Sequence, residues 1–240
     1  MIDVNHVSVT YKIANGNIRS IKEYIITFLR RKLKYTTFNA LDDVTFHINK
    51  GDVVGIIGEN GAGKSTLLKV ISGIFKPTKG SATLNGTLVP MLELGCGFDT
   101  ELSGRENIFL NGAILGFSEE YLQQKYDEIV EFSELGSFIN QPIRTYSSGM
   151  LMRLGFAIAV STKPDILIVD EIMAVGDDRF QVKCKAKMKE LMSGGTTVLL
   201  VSHNMGDIRD LCNKVIYLEH GKIKMMGDTQ TVCDAYENRE

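Results

Sequence analysis

The sequence predicts an α/β fold with a mainly parallel sheet, an N-terminal antiparallel β portion and a helical insertion. Three observations carry the parallel sheet and the helical insertion. The runs Val53–Ile57, Ile166-Leu167-Ile168-Val169 and Thr197–Val201 are short and apolar, as strands covered on both faces of a parallel sheet must be. Between the first and the second of them the chain is dominated by helical spacing. A glycine-rich turn joins the first of them to a helix, the strand–loop–helix order of a βα unit.

Taken in order, the alternation Val44-Thr45-Phe46-His47-Ile48 reads as a strand, and Lys50-Gly51-Asp52 as the turn into Val53–Ile57. Thr66-Leu67-Leu68-Lys69-Val70-Ile71 has the apolar spacing of a helix. Lys76-Pro77-Thr78-Lys79-Gly80 breaks the chain, and residues 81–88 read as a hairpin about the two-residue turn Asn85-Gly86. Ser103-Gly104-Arg105-Glu106 is a capping box that opens a helix through Leu115, and a second helix is expected from Ser118 to about Leu135. A helix from about Asp177 to Met192 stops at Gly194-Gly195. Residues 215–224 read as a late hairpin with a His220-Gly221 turn, and a last helix begins near Asp228.

Between the first two strands, Ile18, Ile21, Ile25, Phe28, Leu29 and Leu33 recur at helical spacing beside Lys22, Arg30, Arg31, Lys32 and Lys34. That pattern predicts an inserted basic amphipathic helix over about residues 17–34. Such a helix lies on an anionic membrane surface or a partner helix, or else covers the sheet edge and solvates its charges.

The 240 residues suffice for one large domain, here expected to run over 1–240 with a helical subdomain over about 98–162. A net charge of −2 supplies no basic field, so no nucleic-acid partner is expected. The longest apolar stretches fall far short of the roughly 20 residues that cross a bilayer, and Met1-Ile2-Asp3-Val4-Asn5 lacks the regions of a signal peptide. A cytoplasmic chain is expected. Cys96, Cys184, Cys212 and Cys233 stand apart, without metal-ligand spacing, and read as reduced structural thiols.

The chemistry begins at Gly58-Glu59-Asn60-Gly61-Ala62-Gly63-Lys64-Ser65, which fits G-x-x-x-x-G-K-[ST] and is followed by Thr66 at the helix start. Gly58, Gly61 and Gly63 allow successive N–H groups to turn toward phosphate oxygens, and the helix start adds partial positive charge. Lys64 is suited to the β- and γ-phosphates, and the Ser65 hydroxyl to Mg²⁺. Downstream, Asp170-Glu171 ends a buried strand, at the edge where open α/β sheets bind ligands. Asp170 is suited to the Mg²⁺ shell and Glu171 to orienting and deprotonating an attacking water. His203 follows the next strand, where an imidazole can hydrogen-bond a γ-phosphate. Tyr146-Ser147-Ser148-Gly149-Met150 opens an apolar helix and forms a second anion pocket, which suggests that it faces the nucleotide of another subunit.

Residues 58–65, 146–150, Asp170-Glu171 and His203, in that order, closely resemble the nucleotide-binding subunit of ABC transporters over nearly the whole chain. The resemblance implies the ABC ATPase fold on a P-loop NTPase core, with ATP and Mg²⁺ as ligands. It implies a head-to-tail homodimer in which Ser147 and Gly149 contact the γ-phosphate held by the other copy. By the same resemblance Asp177 lies in the loop joining the two sites, and Tyr11 is the candidate for stacking on adenine. The family's usual signature is L-S-G-G-Q, whereas Tyr146, Ser148 and Met150 stand here at its first, third and fifth positions. Its metal-sensing glutamine is missing, and Glu93 is the nearest candidate for that ligand.

Leu92-Glu93-Leu94-Gly95-Cys96-Gly97-Phe98, Leu102-Ser103-Gly104-Arg105-Glu106-Asn107 and the 146–150 run narrow the resemblance to ATPases that export cell-surface polysaccharides, including O-antigen, capsule and teichoic acid. The expectation is a peripheral ATPase on the cytoplasmic face of the inner membrane, working with an integral-membrane permease that handles the lipid-linked polysaccharide. A soluble ABC protein acting on ribosomes or DNA is the competing class. Some members of the export group continue into a carbohydrate-binding domain, whereas this chain ends at Glu240, which implies export without substrate recognition by this subunit.

Overall fold

The computed structural model describes residues 1–15, 34–91, 95, 97–170, 176–202 and 204–239. The expected basic helix therefore lies outside the described residues, and so do Glu93, Glu171 and His203.

Strands β3 (Val53–Ile57), β6 (Ile166–Asp170) and β7 (Thr197–Val201) form the middle of a six-stranded sheet. With β5 (Leu88–Met91), β8 (Lys214–Glu219) and β9 (Lys222–Asp228), the order is β5-β6-β7-β3-β8-β9. All neighbours are parallel except β8 and β9, whose His220-Gly221 turn has positive φ at both positions, as a tight hairpin turn of that hand requires. A second, antiparallel sheet has the order β2-β1-β4, from β1 (Ile2–Asn15), β2 (Lys34–Ile48) and β4 (Lys79–Leu84).

Alternation along β3 divides the core. Val53 and Ile57 face one cluster with Phe156, Phe180 and Leu200, while Val54 and Ile56 face another with Ile2, Leu67 and Leu199. The first face is covered by α4 (Ser148–Ser161), α5 (Asp178–Ser193), α6 (Met205–Leu211) and α7 (Thr229–Glu237). The second is covered by the antiparallel sheet and α1 (Lys64–Ile71). A third cluster lies among the helices of the middle of the chain, α2 (Gly104–Ile114), α3 (Glu119–Ser133) and α4. Helix α4 joins two cores: Phe156 and Val160 pack toward the sheet, Leu154 and Ile158 toward α2 and α3.

Helix boundaries follow their caps. Ser103 and Glu106 form the reciprocal capping box at α2, Ser118 caps α3, Asp177 caps α5 and Asp228 caps α7. Among the described residues no helix is long and apolar enough to cross a membrane.

One expectation is corrected. Asn85-Gly86 does not turn a hairpin: β4 pairs with β1, and β5 pairs with β6 in the other sheet. Gly86 takes φ 122, and a Cβ there would lie 2.6 Å from the Asp165 side chain. Asp165 in turn accepts from the Thr87 N–H at 2.9 Å and the Thr87 hydroxyl at 3.0 Å. These bonds hold its carboxyl below the usual carboxylate range, the backbone one foremost. The dipeptide hands the chain from one sheet to the other, and long-range pairing overrides its local turn preference.

Candidate functional site

The loop after β3 is shaped by what surrounds it. Gly58, Gly61 and Gly63 all have positive φ, and a Cβ on Gly63 would stand 2.5 Å from the Ala40 carbonyl. Gly63 begins α1 in a left-handed conformation with no side-chain cap, so no side chain competes for the first N–H groups of the helix. Lys64 is only 8% exposed, and its Nζ donates to the carbonyls of Gly58 at 2.7 Å and Glu59 at 3.1 Å. A buried ammonium at an uncapped helix start, among backbone N–H groups, fits an anion of phosphate type.

This loop floors a cavity of about 470 Å³. Glu59, Asn60, Gly61, Ala62, Gly63, Lys64, Ser65 and Thr66 line it with Tyr11, Phe38, Ala40, Asp170 and Val201. Tyr11 and Phe38 are cross-strand partners on β1 and β2, 38% and 51% exposed, and place two aromatic rings in one wall. Asp170 arrives at the end of β6, level with Val201 of β7. Ser65 and Asp170 thus bring two oxygen ligands to one cavity. Among the described residues no cluster of three or more acidic, His or Cys side chains could hold a metal by itself. That donor set fits Mg²⁺ arriving with phosphates, since the ion takes one or two protein oxygens and keeps waters.

Ser147 and Gly149 belong to a different cavity, of about 520 Å³, that shares no lining residue with the first. Ser147 caps α4, accepting from the Met150 N–H at 3.2 Å. Phe138, Glu134, Arg153 and Asp177 are also in its wall. The Phe180 N–H, and after it Arg153, hold the Asp177 carboxyl below its usual range. Glu134 is lowered in the same way, first by its hydrogen bond from Lys183.

A family model described as ABC transporter matches residues 41–174. The O-antigen export system ATP-binding protein RfbB of Klebsiella pneumoniae is 44% identical over 239 residues, covering 99% of this chain and 97% of that protein. The chain belongs to the ABC transporter family. The teichoic acids export ATP-binding protein TagH of Staphylococcus haemolyticus (strain JCSC1435) is 41% identical over 236 residues, covering 98% of this chain and 88% of that protein. In fold, this ABC transporter chain is similar to the dimeric post-hydrolysis ATP-binding cassette MJ0796 bound to ADP and Pi. The TM-score is 0.74 at 23% identity, with 95% of this chain and 99% of that one covered.

Within the ABC transporter chain, Tyr11, residues 59–66 and Asp170 meet in one cavity, with Gly58 behind them as a carbonyl ligand of Lys64. Ser147 and Gly149 are held apart from that group. Phe38 in the first cavity, and Phe138 and Arg153 in the second, belong to no motif of the sequence. The aromatic and β-branched run Thr36-Thr37-Phe38 could have extended β2 backward and exposed Phe38 as a cross-strand candidate.

Proposed function

We propose that this chain is the ATP-binding and ATP-hydrolysing subunit of an ABC transporter that exports lipid-linked cell-surface polysaccharide of O-antigen type. The observation that carries this reading is the pair of separate cavities, a glycine-rich phosphate loop in one and a serine-glycine helix start in the other. One nucleotide needs both kinds of group, so two copies pack head to tail and each ATP lies between the loop of one and Ser147 and Gly149 of the other. The relatives named for O-antigen export support the choice of cargo.

In this reading Lys64 leaves the Gly58 and Glu59 carbonyls for the β- and γ-phosphates, and Ser65 and Asp170 would hold Mg²⁺, which when bound would supply charge neutralisation at the phosphate oxygens. Tyr11 and Phe38 bear on the base. Glu171 deprotonates the attacking water, His203 contacts the γ-phosphate and Glu93 adds a metal ligand. The permease carries the polysaccharide, and this subunit sits against it on the cytoplasmic face of the inner membrane. Binding closes the dimer and hydrolysis reopens it.

A second cargo is favoured by similarity to the teichoic acid export proteins, at nearly the same identity. Complementation of strains lacking either exporter's ATPase separates the two. The enzymatic reading is tested with Glu171→Gln, which should bind ATP, hydrolyse it very slowly and accumulate as a closed dimer. Near-normal turnover in that variant would sink the assignment.

A further inference from the structure

Tyr146 stands where the family's usual signature has leucine, and the phosphate chemistry of the site has no use for a phenol. Its ring is buried, 9% exposed, against Ile108, Ile139, Ile143 and Leu154. Its hydroxyl donates a 2.7 Å hydrogen bond to the Phe138 carbonyl. Burial raises the phenol above its usual range, so it remains a neutral donor. Phe138 and the serine-glycine helix start both line the second cavity, so this bond ties two parts of one wall.

The space for that hydroxyl is made by Gly104. Its φ is not in the left-handed region, so backbone conformation does not call for glycine there. A Cβ would instead fall on the Tyr146 oxygen, far inside contact distance. The loop before Gly104 is stitched to the segment before Tyr146: Gly104 N donates to Gln141 O at 3.2 Å, Ile143 N to Leu102 O at 2.9 Å and Arg144 N to Thr100 O at 3.1 Å. Buried Asn107 then pins that loop, donating to the carbonyls of Asp99, Leu102 and Ser103. A leucine at 146 would fill the same apolar pocket and tie nothing.

We propose that Tyr146 is a positioning residue whose hydroxyl, seated in the space left by Gly104, holds Phe138 and the Ser147–Gly149 helix start as one preformed surface for the phosphates presented by a second copy. This rests on the composite-site reading above. Preforming the surface removes an ordering cost from dimer closure, which a frayed helix start would meet each time ATP binds.

The test uses the full-length chain. ATP turnover is measured against ATP and protein concentration, and binding of a fluorescent ATP analogue at low protein concentration without Mg²⁺ reports the phosphate loop alone. Tyr146→Phe is expected to raise the half-saturating ATP for turnover roughly three- to tenfold, the weight of one buried hydrogen bond, with analogue binding unchanged. Gly104→Ala, which probes the contact from the other side and leaves the tyrosine in place, is expected to impair turnover. The double variant Gly104→Ala/Tyr146→Phe recovers part of that loss, because the clashing oxygen is gone. Wild-type half-saturation in Tyr146→Phe, a parallel loss of analogue binding, or a double variant no better than Gly104→Ala overturns the proposal. Wild-type turnover strictly proportional to protein concentration, with no dimer at saturating ATP, would overturn the composite site itself.

Discussion

The Arg153 guanidinium lies 2.9 Å from the Asp177 carboxylate, and so ties the helix that starts beside Ser147 to the cap of α5. The same group reaches Glu134 at 3.5 Å and covers the Phe180 ring at 4.7 Å. Arg153→Met keeps an apolar stem over Phe180, takes the cation from Asp177 and leaves Glu134 with Lys183 alone. Its expected effect is a modest fall in the urea midpoint of unfolding. Arg153→Lys restores charge without the fork that spans two acids, and should recover less than half of the loss. Wild-type stability in Arg153→Met would mean that the network contributes nothing.

Lys64 already has two acceptors in the loop, the carbonyls of Gly58 and Glu59. Lys64→Ala therefore removes both an internal tie and the buried charge of the loop. ATP turnover should fall by roughly a hundredfold or more, as for other lost charge-stabilising groups. The melting temperature, which should rise with Mg-ATP in the wild type through preferential binding to the folded state, should stay flat in this variant. A full ligand-induced shift in Lys64→Ala would place the phosphates elsewhere.

Phe38 is the more exposed of the two rings beside the phosphate loop. Phe38→Ala and Tyr11→Ala are each expected to weaken ATP binding by about 1–3 kcal/mol, the usual worth of a base-stacking ring. Inorganic triphosphate, which has no base, should bind all three proteins equally. Calorimetry with the two ligands decides the matter, and an equal loss for both would argue for a distorted loop instead.

Asp52 accepts from the Asn49 N–H at 2.9 Å and pairs with Lys214 at 2.7 Å, joining the start of β3 to β8. Burial pushes its carboxyl upward, but the Lys214 and Asn49 hydrogen bonds outweigh that and leave it below the ordinary 3.8. A lowered folded value means that stability is present above the unfolded value and fades as pH falls through the folded one. Asp52→Asn should cost about 1 kcal/mol at pH 7, and the gap to wild type should close under acid conditions. A gap that persists in acid would assign the effect to packing.

How far the sequence reaches is clear from particular residues. The phosphate loop is legible because its glycines, lysine and serine are fixed by local backbone geometry between a strand and a helix. The caps Ser103, Ser118, Asp177 and Asp228 are legible for the same reason, each acting within one turn. Phe38 is not, because its place opposite Tyr11 depends on register shifts between Val4 and Thr10 that no local pattern announces. Asn85-Gly86 misleads because the same dipeptide serves a hairpin or a passage between sheets, and only the pairing of β4 with β1 decides. Tyr146 is visible as a departure from the usual signature, but Gly104, which makes room for it, is distant in sequence and meets it only in the folded chain.

The antiparallel sheet has a consequence for how the molecule comes together. Ile2 pairs with both Ile48 and Leu84, so β3, the phosphate loop and α1 are enclosed within the loop of chain that β1 and β4 close. Pairings of such long sequence separation are slow, because closure entropy must be overcome before contacts repay it. The cavity over the glycine-rich loop needs still more of the chain: Asp170 and Val201 line it, so a nascent chain cannot complete it until β7 has been made.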